Sequence, residues 1–406
     1  MFTRWHRGDA YQPFSKIMRN MKKTNLLSAI TFLFIMVACV GTKDQLEYDL
    51  ITVDVNAKYP KKELILQDFM DVEYIALESS DEYITQGVIK AVGEKIIIVS
   101  NRSVDGNIFI FDRKNGKGLR KINRLGQGPE EYSQFTDIIL DEGNNEMFVI
   151  AYSSRKILVY DLYGNFKRKF KFVNEMEFYN YTFNYDNEFL ICHKGYSPGV
   201  ETERSSHILI SKQNGQIKRE IELPYSGVIK TPVIIEGEGS ITPEFYLTIP
   251  NQKDWVIMRT SSDTIYNYST DNILTPIIVR TPSIQTMNPE INLFPTVITD
   301  RYYFMRTMKK EIDFTTFKGF PGTDLMFDKQ AKSIFEYVVF NNDFSPKREV
   351  SLGKKPNSTM ATCLTLNAFD LVDAFEKNEL KGELKEIAQK LNEESNPIIM
   401  LVKHRN

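Results

Sequence analysis

Three segments of the chain repeat one short pattern at a nearly constant step. Ile108–Gly116 reads IFIFDRKNG, Lys156–Gly164 reads KILVYDLYG and His207–Gly215 reads HILISKQNG. Each is an apolar strand followed by a polar turn that closes on glycine, and Gly116, Gly164 and Gly215 lie 48 and 51 residues apart. A charged strand follows each glycine, at Leu119–Arg124, Phe166–Phe172 and Gln216–Leu223, and weaker copies lie at 263–272 and 325–340. Further short β-patterned runs occur at Ile96–Ser100, Ile138–Leu140, Met147–Ala151 and Phe189–Cys192. A unit of this length holds about four strands and cannot cover both faces of its own small sheet, so successive units must cover one another.

That requirement selects a ring. The body from about residue 65 to 403 has room for six units of roughly 55 residues. The expected fold class is therefore all-β, a six-bladed β-propeller. The 27 Phe and 20 Tyr suit half-buried pleated surfaces. An irregular pair of β-sandwiches is the competing arrangement, and the regular hairpin spacing counts against it.

The end of the chain changes character. Within Phe369–Leu391, the residues Leu380, Leu384, Ile387 and Leu391 are spaced to line one face of a short C-terminal helix. Asn396-Pro397 breaks it, and Ile398–Lys403 (IIMLVK) reads as a final strand. In a ring, such a strand closes the circle by pairing beside N-terminal residues, which removes a sheet edge. Val72–Leu77 (VEYIAL) is the expected companion.

The other terminus reads as an address. Met21-Lys-Lys-Thr-Asn precedes Leu26–Val40, fifteen residues without a charge. This is the layout of a secretory signal, and it falls short of the roughly twenty apolar residues a spanning helix needs. Its end, Met36-Val37-Ala38-Cys39, resembles the bacterial lipobox, in which a peptidase cuts before an acylated cysteine. Cys39 is then the lipid-attachment residue, holding the protein to a membrane through its acyl chains. Val40, where an Asp would favour the inner membrane, points by analogy to the outer membrane. The expected organisation is an N-terminal extension and signal peptide over 1–38, a lipidated cysteine and flexible tether over 39–60, and the propeller over 61–406. Residues 1–20 fit no part of a signal peptide, so Met18 or Met21 is the expected start.

With the lipobox, the Leu125-Gly-Gln-Gly-Pro-Glu-Glu-Tyr132 run, the blade-length repeats and the tail Glu-Glu-Ser-Asn-Pro-Ile-Ile, the chain resembles the six-bladed β-propeller lipoproteins of Bacteroides-type bacteria. The resemblance spans nearly all of residues 36–403. It implies fold and location, and it supplies no catalytic residue to carry over.

Motifs for chemistry are sparse. Gly195-Tyr-Ser-Pro-Gly199 matches the G-x-S-x-G pattern, but the residue after Ser197 is Pro198, whose missing N–H removes an oxyanion-hole donor. No clustered His/Cys spacing suggests a transition metal, and Asp141–Glu146 reads as a hairpin turn rather than a calcium loop. No cofactor is expected. With 51 basic and 53 acidic residues there is no positive field for nucleic acid. Cys192 and Cys363 are the two body cysteines and could form one disulfide.

The segment Arg124–Tyr132 is the candidate ligand-contacting loop. It joins an outer strand to the next inner strand, on the face around the channel, and offers Arg124, Glu130, Glu131 and Tyr132. Its glycines and Pro129 would shape it through their backbone preferences. The alternative is a plain blade-to-blade turn with Tyr132 packed between blades. The function expected is a non-enzymatic envelope module that binds a glycan, a peptide or an envelope protein. A lyase or hydrolase on the same scaffold, and an accessory subunit of an outer-membrane uptake complex, are the alternatives.

Overall fold

A computed structural model of the chain describes residues 50–405, apart from 103–104, 173–176, 196–201, 203, 237–238, 314 and 317. Cys39 and the signal segment, and Tyr196–Gly199 of the G-x-S-x-G match, lie outside the described residues.

Six small sheets form the blades of a β-propeller. Blade 1 consists of Val88–Val92, Ile96–Ser100, Asn107–Asp112 and Gly118–Asn123, from the inside outward. Blade 2 runs from Asp137–Asp141 through Glu146–Ala151 and Lys156–Asp161 to Phe166–Lys171, and blade 3 from Phe178–Asn184 through Phe189–Gly195 and Ser206–Ser211 to Ile217–Ile221. Blade 4 is Thr248–Asn251, Asp254–Met258, Thr264–Tyr268 and Leu274–Thr281, and blade 5 is Ile291–Ile298, Tyr302–Lys309, Asp324–Asp328 and Ser333–Asn341. Blade 6 combines Met360–Leu366, Ile398–His404 and Met70–Ala76.

Burial follows position in the blade. Ile96–Ser100 and Glu146–Ala151 are second strands, covered on both faces, and every residue in them is buried. This is why they read as continuous apolar runs. The outer strands Gly118–Asn123 and Phe166–Lys171 alternate instead, and Lys121, Lys167, Lys169 and Lys171 face water along an edge that would otherwise invite pairing.

The repeated glycines mark where blades touch. Gly116, Gly164 and Gly215 have φ of 69°, 86° and 72°, in the left-handed region open to glycine. A Cβ on Gly116 would lie 1.9 Å from the carbonyl oxygen of Ala76, on the outer strand of blade 6. One on Gly164 would meet Ile122 of blade 1 at 2.9 Å, and one on Gly215 would meet Phe170 of blade 2 at 2.2 Å. Each repeat thus presses its turn against the outer strand of the preceding blade.

The ring closes as expected. Ile398–His404 lies between Met360–Leu366 and Met70–Ala76, antiparallel to both, with Tyr74 opposite Met400 and Ile75 opposite Ile399. Its first five residues are buried.

One expected boundary needs correction, the expected C-terminal helix gains a break, and the open pairing of Cys192 with Cys363 is resolved. The 39–60 tether ends too late: Ile51–Asp54 pairs in parallel outside blade 4 and Lys61–Ile65 outside blade 5. Both find partners more than 200 residues away, which no local pattern reveals. The C-terminal helix is divided into Ala368–Glu376 and Gly382–Ala388, because Asn378 and Gly382 take positive φ and Leu380 turns aside to bridge Phe344. Both helices pack on blades 5 and 6 through Leu371 and Leu384. Cys192 and Cys363 are free, buried thiols in blades 3 and 6.

Candidate functional site

The inner strands line the axis of the ring, and three of them are interrupted. Pairing skips between Ile89 and Ala91 in blade 1, between Asn180 and Phe183 in blade 3, and between Pro295 and Val297 in blade 5. A bulge frees residues from the ladder and re-aims their side chains. The residues released are Lys90, Tyr181 with Thr182, and Thr296, and Tyr181 has a φ of 50°.

Lys90, Tyr181 and Thr182 border a cavity of about 180 Å³, together with Asp137, Tyr246 and Lys355. Thr296 borders a neighbouring opening of about 420 Å³, and Tyr246 lines both. At the hairpin end of the inner strands a wider mouth of about 650 Å³ is lined by Glu142, Asn187, Gln252 and Ser358.

Lys355 arrives by an irregular route. The innermost place in blade 6 is held by the non-strand segment 351–357. Gly353 N donates to Ala361 O at 3.2 Å, and Lys354 O accepts from Cys363 N at 2.8 Å. The segment therefore stays attached to the blade while lacking a regular ladder. Lys355 Nζ reaches across to Asp137 Oδ1 of blade 2 at 2.8 Å. Lys90 Nζ donates to the carbonyl of Thr136 at 2.8 Å and lies 5.6 Å from the Phe135 ring centre.

The cavity shifts its titrating groups. Burial pulls the Lys90 ammonium below its ordinary value; Asp137 opposes this and Lys355 adds to it. Burial acts on Lys355 in the same sense, but the Asp137 carboxylate together with Tyr246 and Glu244 reverses it and the net shift is upward. Burial raises the hydroxyls of Tyr181 and Tyr246, so both remain protonated at neutral pH. Tyr181 stands among His193, Phe245 and Tyr246, at ring separations of 5.8–6.2 Å.

The Arg124–Tyr132 loop lies away from these cavities and takes the form of the blade-to-blade turn of the alternative reading, with Tyr132 packed between blades. Tyr132 is buried; its hydroxyl donates to Gly106 O at 2.7 Å and accepts from Arg124 N at 3.0 Å. Its ring meets Phe135 and Tyr160 edge-on. Arg124 Nε donates to Gly164 O at 3.1 Å, and the carbonyl of exposed Glu130 accepts from Tyr160. Glu131 folds back onto Gly128 N at 2.8 Å, and a Cβ on Gly126 would lie 1.9 Å from Glu131 Oε2. Gly126 and Gly128 do not take positive φ, so the space they leave for that carboxylate is their use here. Arg124, Glu130 and Tyr132 tie blade 1 to blade 2, Glu131 bonds within the loop, and none of the four borders the cavities above.

Sequence reasoning missed Lys90, Asp137, Tyr181, Tyr246 and Lys355 because they come from five separate segments with no common motif. One signal was present: Lys90 is a lone charge inside the apolar run Val88–Val92. Asp141–Glu146 is a hairpin turn, as read, and among the described residues no group of three or more His, Cys, Asp or Glu is arranged to hold a metal ion. No helix among them is long and apolar enough to cross a membrane.

Similar architecture occurs in a solved Bacteroides fragilis protein named "Putative exported protein". It is 14% identical, aligns over 88% of this chain and 100% of its own, and gives a TM-score of 0.54. A DUF4221 family member from Bacteroides vulgatus aligns over 84% of this chain and 99% of its own, at 10% identity and a TM-score of 0.48. No curated protein matches the chain by sequence. A family model does match, over residues 50–403, which takes in all six blades and the closing strand: the chain belongs to the DUF4934 family, a domain of unknown function.

Proposed function

We propose that the protein is a non-enzymatic binding module of the cell envelope, with the axial cavity as its ligand site. The observation that carries this reading is the convergence of Lys90, Tyr181 and Lys355 on one cavity, each from an irregular stretch of an inner strand position. An inner strand serving only to pack would keep its ladder regular; bulges concentrate where side chains must be re-aimed. Polar groups set among apolar walls orient a ligand while the walls hold its body. The classes of ligand that suit an envelope module are a glycan, a peptide or another envelope protein, and the cavity itself suits a small group or the end of a chain.

The signal-like run Leu26–Val40 ending at Cys39 supports a lipid anchor, and the name of the Bacteroides fragilis neighbour agrees with export. Labelling with a palmitate analogue should mark the wild type and leave Cys39→Ala unmarked; equal labelling of both removes the anchor from the proposal. The cavity is tested with Ala91→Trp, at a residue of its wall, whose indole should fill it. Compounds that raise the melting temperature of the wild type should leave this variant's unchanged, and an undiminished shift would place the ligand elsewhere.

A further inference from the structure

We infer that the axial cavity binds a small acid: one carboxylate on an apolar body. The inference rests on the reading of the cavity as the ligand site and specifies what that site selects. Lys90, Asp137 and Lys355 are the ionisable Lys and Asp side chains in its wall. Asp137 is matched to Lys355 at 2.8 Å. Among the described residues no carboxylate pairs with Lys90: its ammonium hydrogen-bonds to a neutral carbonyl, that of Thr136. The wall therefore holds two cations and one anion, and the unmatched group, Lys90, is a half-buried cation. Such a charge is unfavourable among apolar walls until an anion joins it.

The rest of the lining fixes the body. Ile89, Val92, Ile139, Leu140, Phe183 and Pro356 are apolar and come from blades 1, 2 and 3 and the blade 6 segment. A volume of about 180 Å³ suits a single ring or a short alkyl chain. Further charges lie outside this wall. Glu244 and Lys354 are exposed and line the neighbouring opening; the field of Glu244 reaches Lys355, whereas the charges acting on Lys90 are Asp137 and Lys355. The downward shift of Lys90 by burial agrees with a cation awaiting a counter-ion.

The test is calorimetric titration of the mature protein at neutral pH with benzoate, hexanoate, benzamide and benzylamine. Benzoate and hexanoate should bind, with benzamide and benzylamine at least about tenfold weaker, because a charge-assisted hydrogen bond distinguishes them. Lys90→Met should weaken benzoate by about 10- to 100-fold, and Lys90→Arg should restore most of the loss. Asp137→Asn should tighten benzoate several-fold, since it frees Lys355; a merely structural Asp137 would not move affinity in that direction. Benzylamine or benzamide binding as tightly as benzoate, and lost in Ala91→Trp, would overturn the acid specificity while leaving the cavity as the site. Absence of benzoate and hexanoate binding at millimolar concentration would overturn the inference. If a glycan or peptide then bound wild type and Ala91→Trp equally, the cavity reading would fall with it.

Discussion

Lys212 of blade 3 places its Nζ 2.5 Å from Asp141 Oδ2 of blade 2, with both side chains buried. Lys212 lies in the turn of the third sequence repeat, and its own carbonyl accepts from Arg168 of blade 2 at 2.7 and 2.9 Å. Arg168 in turn forms a two-pronged pair with buried Glu146, at 2.7 Å on each prong. Lys212 thus joins blade 3 to both Asp141 and Arg168 of blade 2.

Removing one partner of that pair should be far worse than removing both. Lys212→Ala strands the Asp141 carboxylate in the interior, at a cost of about 3–5 kcal/mol. Replacing both, as Lys212→Met with Asp141→Leu, should recover much of the loss. Chemical denaturation of the three proteins measures this; a single variant as stable as the double would show the pair to be solvated.

The repeat glycines should be intolerant in proportion to their surroundings. Gly116→Ala forces a methyl group onto the Ala76 carbonyl at a φ of 69° and should destabilise by about 2 kcal/mol or more. Gly143→Ala, where the nearest atom lies at 3.6 Å, should be close to neutral. Equal melting temperatures for the two variants would remove the glycines from the blade contact.

Closing the ring depends on a strand bonded on both sides. Leu401→Ala opens a hole beneath a fully buried position and should cost about 2–5 kcal/mol. Deleting residues 396–406 should leave insoluble or degraded protein, since it removes two ladders and bares the faces of Met70–Ala76 and Met360–Leu366. A soluble truncation that melts like the parent would show the strand to be peripheral.

Stability should fall on mild acidification. Burial holds His207 down to about 4, with the Leu247 carbonyl opposing and Arg259 assisting. Burial, His207 and Arg259 hold His193 well below its usual range. Unfolded histidines protonate near pH 6.5, so below that the unfolded state takes up protons that the folded one refuses. Unfolding free energy should drop as pH falls from 6.5 towards 4, by up to about 1.4 kcal/mol per pH unit for each histidine. His207→Gln, whose amide can still donate to Leu247, should flatten the slope; an unchanged slope assigns the titration elsewhere.

Much of the architecture is local chemistry and was legible in order along the chain. A strand, a polar turn and a glycine recur because each blade must lay a turn without a side chain against its predecessor, and that need leaves a period. Ile398–Lys403 and Val72–Leu77 were legible as partners because a ring built from short repeats leaves both chain ends to meet. What only the tertiary structure decided depends on contacts across the ring. The strands Ile51–Asp54 and Lys61–Ile65 owe their state to partners far along the chain, and their own residues could equally serve a linker. Tyr132 stood in a conspicuous run yet is buried between blades, whereas Lys90, Asp137 and Lys355 meet only because the inner positions of three blades face one axis. Packing leaves its trace in sequence through periodicity, but a site gathered around an axis needs only single residues from distant segments and imposes no spacing between them.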